Sequence, residues 1–398
     1  MLVLGLWLFA VTVRQDATPL RAGCSADAET VSVLKSGDPV TVRFSMTGDL
    51  GTCYKVSAGD KNGYVPAAAL AGLEEMERGR VAAPDLAVRE EVRRFASQAA
   101  ASAGGGGVPE SLGGAIHLIE ANQPRLALDI LERKVLPIRR DPSILEIAGY
   151  AAYRSDQPQR AKEYWTESLR LKPNPQIQQL MEQLDREQRS DKSDAREGGA
   201  VFSLRYEEAH VSPQVAREMI DVLEDEYARV SSMLGCHRGE KLVAIVQSES
   251  NYRDIAGAAW SGGQFDGRIR VPLIYENGRV GPRMRRVFAH EIVHACLAQL
   301  GSYPAWFHEG LAQKLSGDHL SPDTLRTIRQ GLREGSLPKF ENLAAGFGSL
   351  SAQQAGLAYA LALAGIETLG EDRAVALART PEQIPAAAAA LTRAMIDR

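Results

Sequence analysis

Apolar and polar residues alternate with different periods along the chain, and the changes of period divide it. MLVLGLWLFAVTV at the start is the only continuous apolar run, about 13 residues long. Residues 19–75 carry the short runs VSVL, VTVRF, CYKVS and GYVP, rich in β-branched and aromatic residues. Turn residues separate these runs at Ser36-Gly37-Asp38-Pro39, Gly48-Asp49 and Asn62-Gly63, the last a strong hairpin signal. Five short strands at this spacing predict a small β-barrel. Residues 76–108 are an Ala-rich helical stretch that runs into GGGG at 104–107, a flexible break. Helical periodicity then holds over 109–187. Residues 188–200 are charged and lack bulky apolar groups, which reads as a linker. From Val201 strands come first and helices follow. Phe202–Tyr206, Leu242–Gln247 and Gly267–Val271 are the expected strands, with Ile269 and Val271 facing opposite to Arg268 and Arg270. Pro213–Leu234 is periodic through Val215, Met219, Val222, Leu223, Tyr227, Val230 and Leu234. Pro282 opens a helix that Gly301 closes, and Pro304 opens another that Gly317 closes. The expected fold is multidomain: a small β-barrel, an α-helical segment, and an α+β domain over 201–398.

Composition narrows the classes. With 44% hydrophobic and 24% charged residues, the chain is neither disordered throughout nor fibrous. Its net charge of −4 gives no ground for expecting nucleic acid as a partner. Four cysteines in 398 residues make neither a disulfide scaffold nor a zinc ribbon.

The apolar start, taken as a leader over 1–18, is shorter than the roughly 20 residues of a membrane-spanning helix and has the length of a signal-peptide core. No Lys or Arg precedes it and Arg14 follows it, so a buried strand is the other reading. The first reading implies export to the periplasm or cell envelope; without it the chain is cytoplasmic. Cys24 in LRAGC invites a lipid anchor, but Arg14, Gln15 and Asp16 interrupt the apolar core and Arg21 stands where a small residue belongs. Cys24 and Cys53 fall in one small domain, and in an exported chain they are expected to form a disulfide.

The stretch LRAGCSADAETVSVLKSGDPVTV, CYKV and GYVPAAAL resembles a bacterial Src-homology-3-like domain. Cys53 stands where that family usually has Trp, and Tyr64 takes the second aromatic place. The resemblance implies association with cell-wall material or peptides; a plain spacer is the competing reading. In the helical segment, a unit starting at Pro142 places Leu145, Gly149, Ala161, Trp165 and Pro173. Ala127 and Leu131 stand 34 residues before Ala161 and Trp165. This spacing resembles the tetratricopeptide repeat. It implies either a dock for a protein partner or a rigid spacer.

The chemistry lies in His290-Glu291-Ile292-Val293-His294, an HExxH motif inside the 282–301 helix. Histidines four apart share one helix face, so both imidazoles can reach one Zn²⁺. Glu291 is then placed to take a proton from a water at the metal. A third ligand is needed, and the extended form with Gly and His is absent, since Leu297 and Leu300 occupy those places. His308 and Glu309 are the next candidates. A turn at Gly301-Ser302-Tyr303 lets the Pro304 helix return either one, but about 100° per residue separates them, so one helix does not present both.

HEIVHACLAQLGSYPAWFHEGLAQ closely resembles the bacterial gluzincin, or peptidase MA-like, family, whose pattern is HE-x-x-H followed by P-x-W-x-x-E-G-x-A. The resemblance implies one Zn²⁺ held by His290, His294 and Glu309, with Glu291 as the general base and Gly310 and Ala312 allowing close helix packing. WSGGQFDGRIRVP resembles the strand that precedes the zinc helix in that family. It points to Gly267, Arg268 and Ile269 as an edge strand that binds an extended peptide, or else to a structural hairpin. Arg268 and Arg270 read as solvated, the alternative being a preference for acidic side chains. Tyr359 in GLAYALAL is a candidate oxyanion stabiliser or a core tyrosine. His117, His210, His237 and His319 have no partner pattern, Cys296 reads as a small core residue, and Cys236 ends a helix. The expected function is an exported zinc metallopeptidase acting on peptide or protein substrates, with membrane or cell-wall association in view. The alternative is a non-catalytic adaptor that works through the repeats and barrel and keeps a structural metal site.

Overall fold

Apolar side chains gather into three separate cores among the described residues, one for each of the expected regions. The structure is a computed structural model and describes residues 11–48, 50–59, 61–73, 110–190, 194–237, 239–255, 263–276, 279–343 and 352–397. The expected linker over 76–108 and the first ten residues of the leader lie outside them.

The N-terminal core is built by β1 (Val11–Val13), β2 (Thr18–Arg21), β3 (Thr30–Leu34), β4 (Pro39–Gly48), β5 (Gly51–Ala58), β6 (Lys61–Pro66) and β7 (Leu70–Ala71). They form a seven-stranded sheet in the order β3-β2-β6-β5-β4-β1-β7. Three expectations change here. The order has two ends, so no closed barrel exists among the described residues. The end of the presumed leader is strand: Val11 and Val13 are buried, and β1 pairs antiparallel with both β4 and β7. Asn62-Gly63 is not the turn, because Asn62 pairs with Ser57 and Gly63 with Val56 inside β6. Gly63 is required for another reason: a Cβ there would lie 2.6 Å from Leu20 Cγ and 2.7 Å from the Arg21 carbonyl. The Cys24–Cys53 disulfide is present, with Cα atoms 5.7 Å apart.

The helical segment runs through α1 (Glu110–Glu120), α2 (Pro124–Ile130, continued by a π turn over Leu131–Val135), α3 (Pro142–Arg154), α4 (Pro158–Leu171) and α5 (Pro175–Ser190). Asp141 caps α3 by accepting from the Ile144 N–H at 3.2 Å. Gly149 of α3 lies under Trp165 of α4, where a Cβ would meet the indole at 2.3 Å. Ala127, Leu131, Ala161 and Trp165 are all fully buried, so both sets of residues spaced 34 apart pack inward.

The expected linker over 188–200 is mostly ordered structure. Helix α5 continues to Ser190, and β8 (Asp194–Gly198) pairs antiparallel with β9 (Phe202–Glu207). Alternation explains how a charged segment serves as an edge strand: one face meets the core through Ala195 while Arg196 stays exposed. Next come α6 (Pro213–Leu234), β10 (Leu242–Gln247), α7 (Glu249–Ile255), β11 (Gln264–Phe265) and β12 (Ile269–Pro272). The sheet order is β11-β12-β10-β9-β8. Strands β9, β10 and β12 are parallel, with α6 as the crossover between the first two, whereas β8 and β11 run antiparallel at the two edges. A small hairpin, β13 (Tyr275–Glu276) with β14 (Arg279–Val280), leads into α8 (Pro282–Leu300) and α9 (Ala305–Leu315). Helices α10 (Pro322–Arg333), α11 (Ala352–Leu369), α12 (Glu371–Ala378) and α13 (Ile384–Asp397) complete the chain. Among the described residues no helix is long and apolar enough to cross a membrane.

Candidate metal centre

Helix α8 is buried nearly all round from Phe288 to Ala298, so its two histidines project into the interior instead of water. His290 and His294 lie one turn apart, with ring centroids 4.6 Å apart. The Gly301–Pro304 connection reverses the chain, and α9 brings Glu309 back to them. Glu309 Oε2 is 3.5 Å from His290 Nε2 and 3.6 Å from His294 Nε2. The three residues offer ligand atoms within 4.8 Å of one another, the geometry of a site that could hold a metal ion.

Close packing sets α9 in place. A Cβ on Gly310 would lie 2.4 Å from the Ala362 carbonyl oxygen, so glycine lets α9 lie directly on α11. Gln313 Nε2 donates to the Tyr359 carbonyl at 3.0 Å, a second tie to α11. Trp306 anchors the start of α9, edge-on to Phe340 at 5.1 Å. His308 points elsewhere: its ring stacks flat on His294 at 4.5 Å and is not part of the ligand group. Of the two candidates for the third position, the structure brings Glu309 to the histidines.

His290 is 2% exposed, and Glu291, His294 and Glu309 are fully buried. Burial lowers the His290 pKa to about 4, against the pull of Glu309, so its imidazole is neutral near pH 7. Burial, helped by the charge of Glu309, raises Glu291 well above the ordinary carboxylate range. Among the described residues, His290 Nε2 and both carboxylate oxygens of Glu291 and of Glu309 have no hydrogen-bond partner. A buried polar atom left that way costs about 1–3 kcal/mol. Five of them in one place fit a site completed by something outside the chain. Two imidazole nitrogens and one carboxylate are the donors of an open zinc site.

Two further groups line this centre. Tyr359 is 1% exposed, and burial together with Glu309 and Glu291 raises its pKa, so its hydroxyl keeps its proton beside the carboxylates. At Gly263, next to β11, a Cβ would fall 2.3 Å from Glu291 Oε1. The sequence motif contained Gly263 but gave no reason to single it out.

The expected substrate strand is corrected. Gly267 and Arg268 are not strand: Gly267 has φ +95° in the turn between β11 and β12. Ile269 is fully buried and pairs with Phe265, so the edge strand on that side, among the described residues, is β11. Arg268 and Arg270 are not solvated, being 2% and 1% exposed, since the helical segment covers that face of the sheet. Cys296 is not a plain core residue: it forms a disulfide with Cys236, Cα atoms 5.4 Å apart, tying the HExxH helix to the chain just past α6. Nothing in their spacing, 60 residues, announced the pair. Two disulfides fit an oxidising environment.

Comparison with known proteins gives no match, either to a family model, to a curated protein or to a solved structure.

Proposed function

We propose that this chain is a zinc-dependent peptidase of the gluzincin kind. The observation that carries the reading is the buried convergence of His290, His294 and Glu309 beside the unpartnered carboxylate of Glu291. His290, His294 and Glu309 would hold the Zn²⁺. When bound, the ion supplies Lewis acidity that polarises the scissile carbonyl and makes the attacking water more acidic. Glu291 accepts the proton that this water loses and returns it to the departing amine. Tyr359 keeps its proton and donates a hydrogen bond to the oxygen on which charge develops. The outer edge of β11, where Gly263 abuts Glu291, receives the substrate as an added strand. The two disulfides support an exported or envelope location. The helical segment and the N-terminal sheet are candidates for contacts with a protein partner or the cell wall.

The test is cleavage of an unfolded polypeptide by the full-length, zinc-loaded chain, with Glu291→Gln as the control. Cleavage that disappears in the variant while zinc stays bound supports the reading. Stoichiometric zinc with no cleavage of any peptide by the unaltered chain would favour the non-catalytic adaptor.

A further inference from the structure

The hairpin that touches Glu291 at one end is gripped by the helical segment at the other. Strand β11 has two residues, and among the described residues it pairs with β12 alone, Gln264 with Arg270 and Phe265 with Ile269. So short a pairing does not fix its own position; Phe265, buried in the main core, holds one side and the turn Asp266-Gly267-Arg268 holds the end. That turn is held on two sides by residues far away in sequence. Glu187 of α5 takes Arg268 Nη1 at 3.2 Å and Arg270 Nη2 at 3.0 Å. It also accepts from the Tyr153 hydroxyl and, at 3.2 Å, from Gln183 Nε2. Arg268 completes its pairing with Asp266 at 2.7 Å and lies 4.0 Å over the Tyr153 ring. On the other side, Arg154 lies where a Cβ of Gly267 would be, 2.1 Å from its Nε. Arg154 is itself fixed by donating to the Ile119 carbonyl at 3.0 Å and to Asn122 Oδ1 at 2.8 Å.

We propose that the helical segment is a positioning element for the substrate-binding strand, with Glu187 as its positioning residue acting through Arg268 and Arg270 on β11. This deepens the peptidase reading and rests on it for its functional consequence. The charges show why Glu187 matters. Arg268 and Arg270 face two carboxylates, one of them from the helical segment, while the buried Arg154 on the other side of the turn is held by neutral acceptors. Without Glu187 the two hairpin arginines keep one carboxylate between them, and the hairpin must shift to bring the uncompensated charge nearer water. The metal ligands belong to α8 and α9 and are untouched, so the effect falls on substrate binding.

The experiment compares Glu187→Gln and the milder Tyr153→Phe with the unaltered full-length, zinc-loaded chain. Three quantities are read: zinc per chain, kcat and KM on an unfolded polypeptide, and hydrogen exchange of the backbone over 263–272 and 282–300. Glu187→Gln should raise KM about tenfold with kcat within about twofold and zinc retained. Exchange should quicken over 263–272 and stay slow over 282–300. Tyr153→Phe removes only the hydroxyl and should move both quantities the same way by a smaller factor, which keeps the proposal open to test if the first variant does not fold. Unchanged KM and unchanged exchange in the folded variants would overturn it, as would a parallel loss of zinc, kcat and protection everywhere. If the unaltered chain cleaves nothing, the peptidase reading fails by itself, while the exchange measurement still decides whether the helical segment positions the hairpin.

Discussion

Glu187, Arg268 and Arg270 are buried almost as deeply as His290, Glu291, His294 and Glu309, with Asp266 partly buried beside them, yet the two clusters meet the cost of burial in opposite ways. In the first, two cations face two anions, Tyr153, Gln183 and Gln247 supply further hydrogen bonds, and Arg270 Nη2, which makes no hydrogen bond, still lies 3.0 Å from Glu187 as an ion pair. In the second, five polar atoms of His290, Glu291 and Glu309 make no hydrogen bond among the described residues. Buried polar groups in native proteins are nearly always satisfied. A cluster whose charges are paired within the chain therefore holds structure together, whereas one of uncompensated carboxylates marks a place where something else binds. The same contrast shows in pKa. Charge pairing outweighs burial and lowers Glu187, while burial unopposed by any cation raises Glu291.

The sharpest way to test this contrast is to neutralise one carboxylate in the second cluster. Glu291→Gln should keep zinc and lower kcat by about 10²–10⁴-fold, the usual loss of a general base. Glutamine keeps the shape but cannot accept the proton. Steady-state kinetics beside a zinc determination checks it, and full activity with zinc in place would reject the mechanism. The corresponding change at Glu187 is expected to leave kcat nearly alone.

The next effect is on the metal. Glu309→Ala should empty the site on dialysis, weakening zinc by at least the roughly 10–100-fold seen when outer partners of ligands are lost. His308→Ala should keep zinc, because its ring stacks on His294 outside the ligand group. Plasma emission on both dialysed variants decides it, and zinc lost only from His308→Ala would reverse the assignment.

This centre was legible because its signals are local. The i,i+4 histidines fall on one face of a helix bounded by Pro282 and Gly301, and Glu309 is one turn and one helix away. The other cluster was not legible. Alternation correctly set Arg268 and Arg270 opposite Ile269 and Val271, but it cannot say whether the second face of a sheet meets water or another layer. Here the cover arrives from Glu187, 81 residues before Arg268. Asn62-Gly63 misled for a related reason. A glycine needed because Leu20 approaches looks, in sequence, like one needed for a turn. The last residues of the apolar start, Val11–Val13, read as part of a leader, whereas β4 and β7 flank them as a strand; the ten residues before them lie outside the described residues.

A smaller effect comes from completing the second cluster. On the proposed reading, zinc at the folded site should stabilise the chain by about 2.7 kcal/mol when free zinc is 100 times its dissociation constant. Melting with and without a chelator measures this, and the same comparison in Glu309→Ala should show little difference. A melting temperature indifferent to zinc in the unaltered chain would mean that the unpartnered atoms do not mark a metal site.

The smallest effect concerns acid and the charge-paired cluster. Burial would raise the Asp266 pKa, but the charge and hydrogen bonds of Arg268, helped by Arg270, outweigh it and bring it down to about 2. Glu187 is lowered too, with burial opposed by Arg268 and Arg270. A carboxylate with a depressed folded pKa binds fewer protons folded than unfolded. Its stabilisation is fully present above the unfolded value, near 3.8 for Asp266, and is lost as the pH falls toward 2. For Asp266 alone the amount is on the order of 2 kcal/mol. Denaturant titrations of the metal-free chain between pH 5 and 2 should therefore show stability falling with acid, and Asp266→Asn should flatten that fall while lowering stability at neutral pH. Metal-free protein is the right sample because protons also displace a bound metal. If Asp266→Asn has the same acid slope as the unaltered chain, the pairing with Arg268 does not hold the turn, and the contrast between the two clusters loses its structural half.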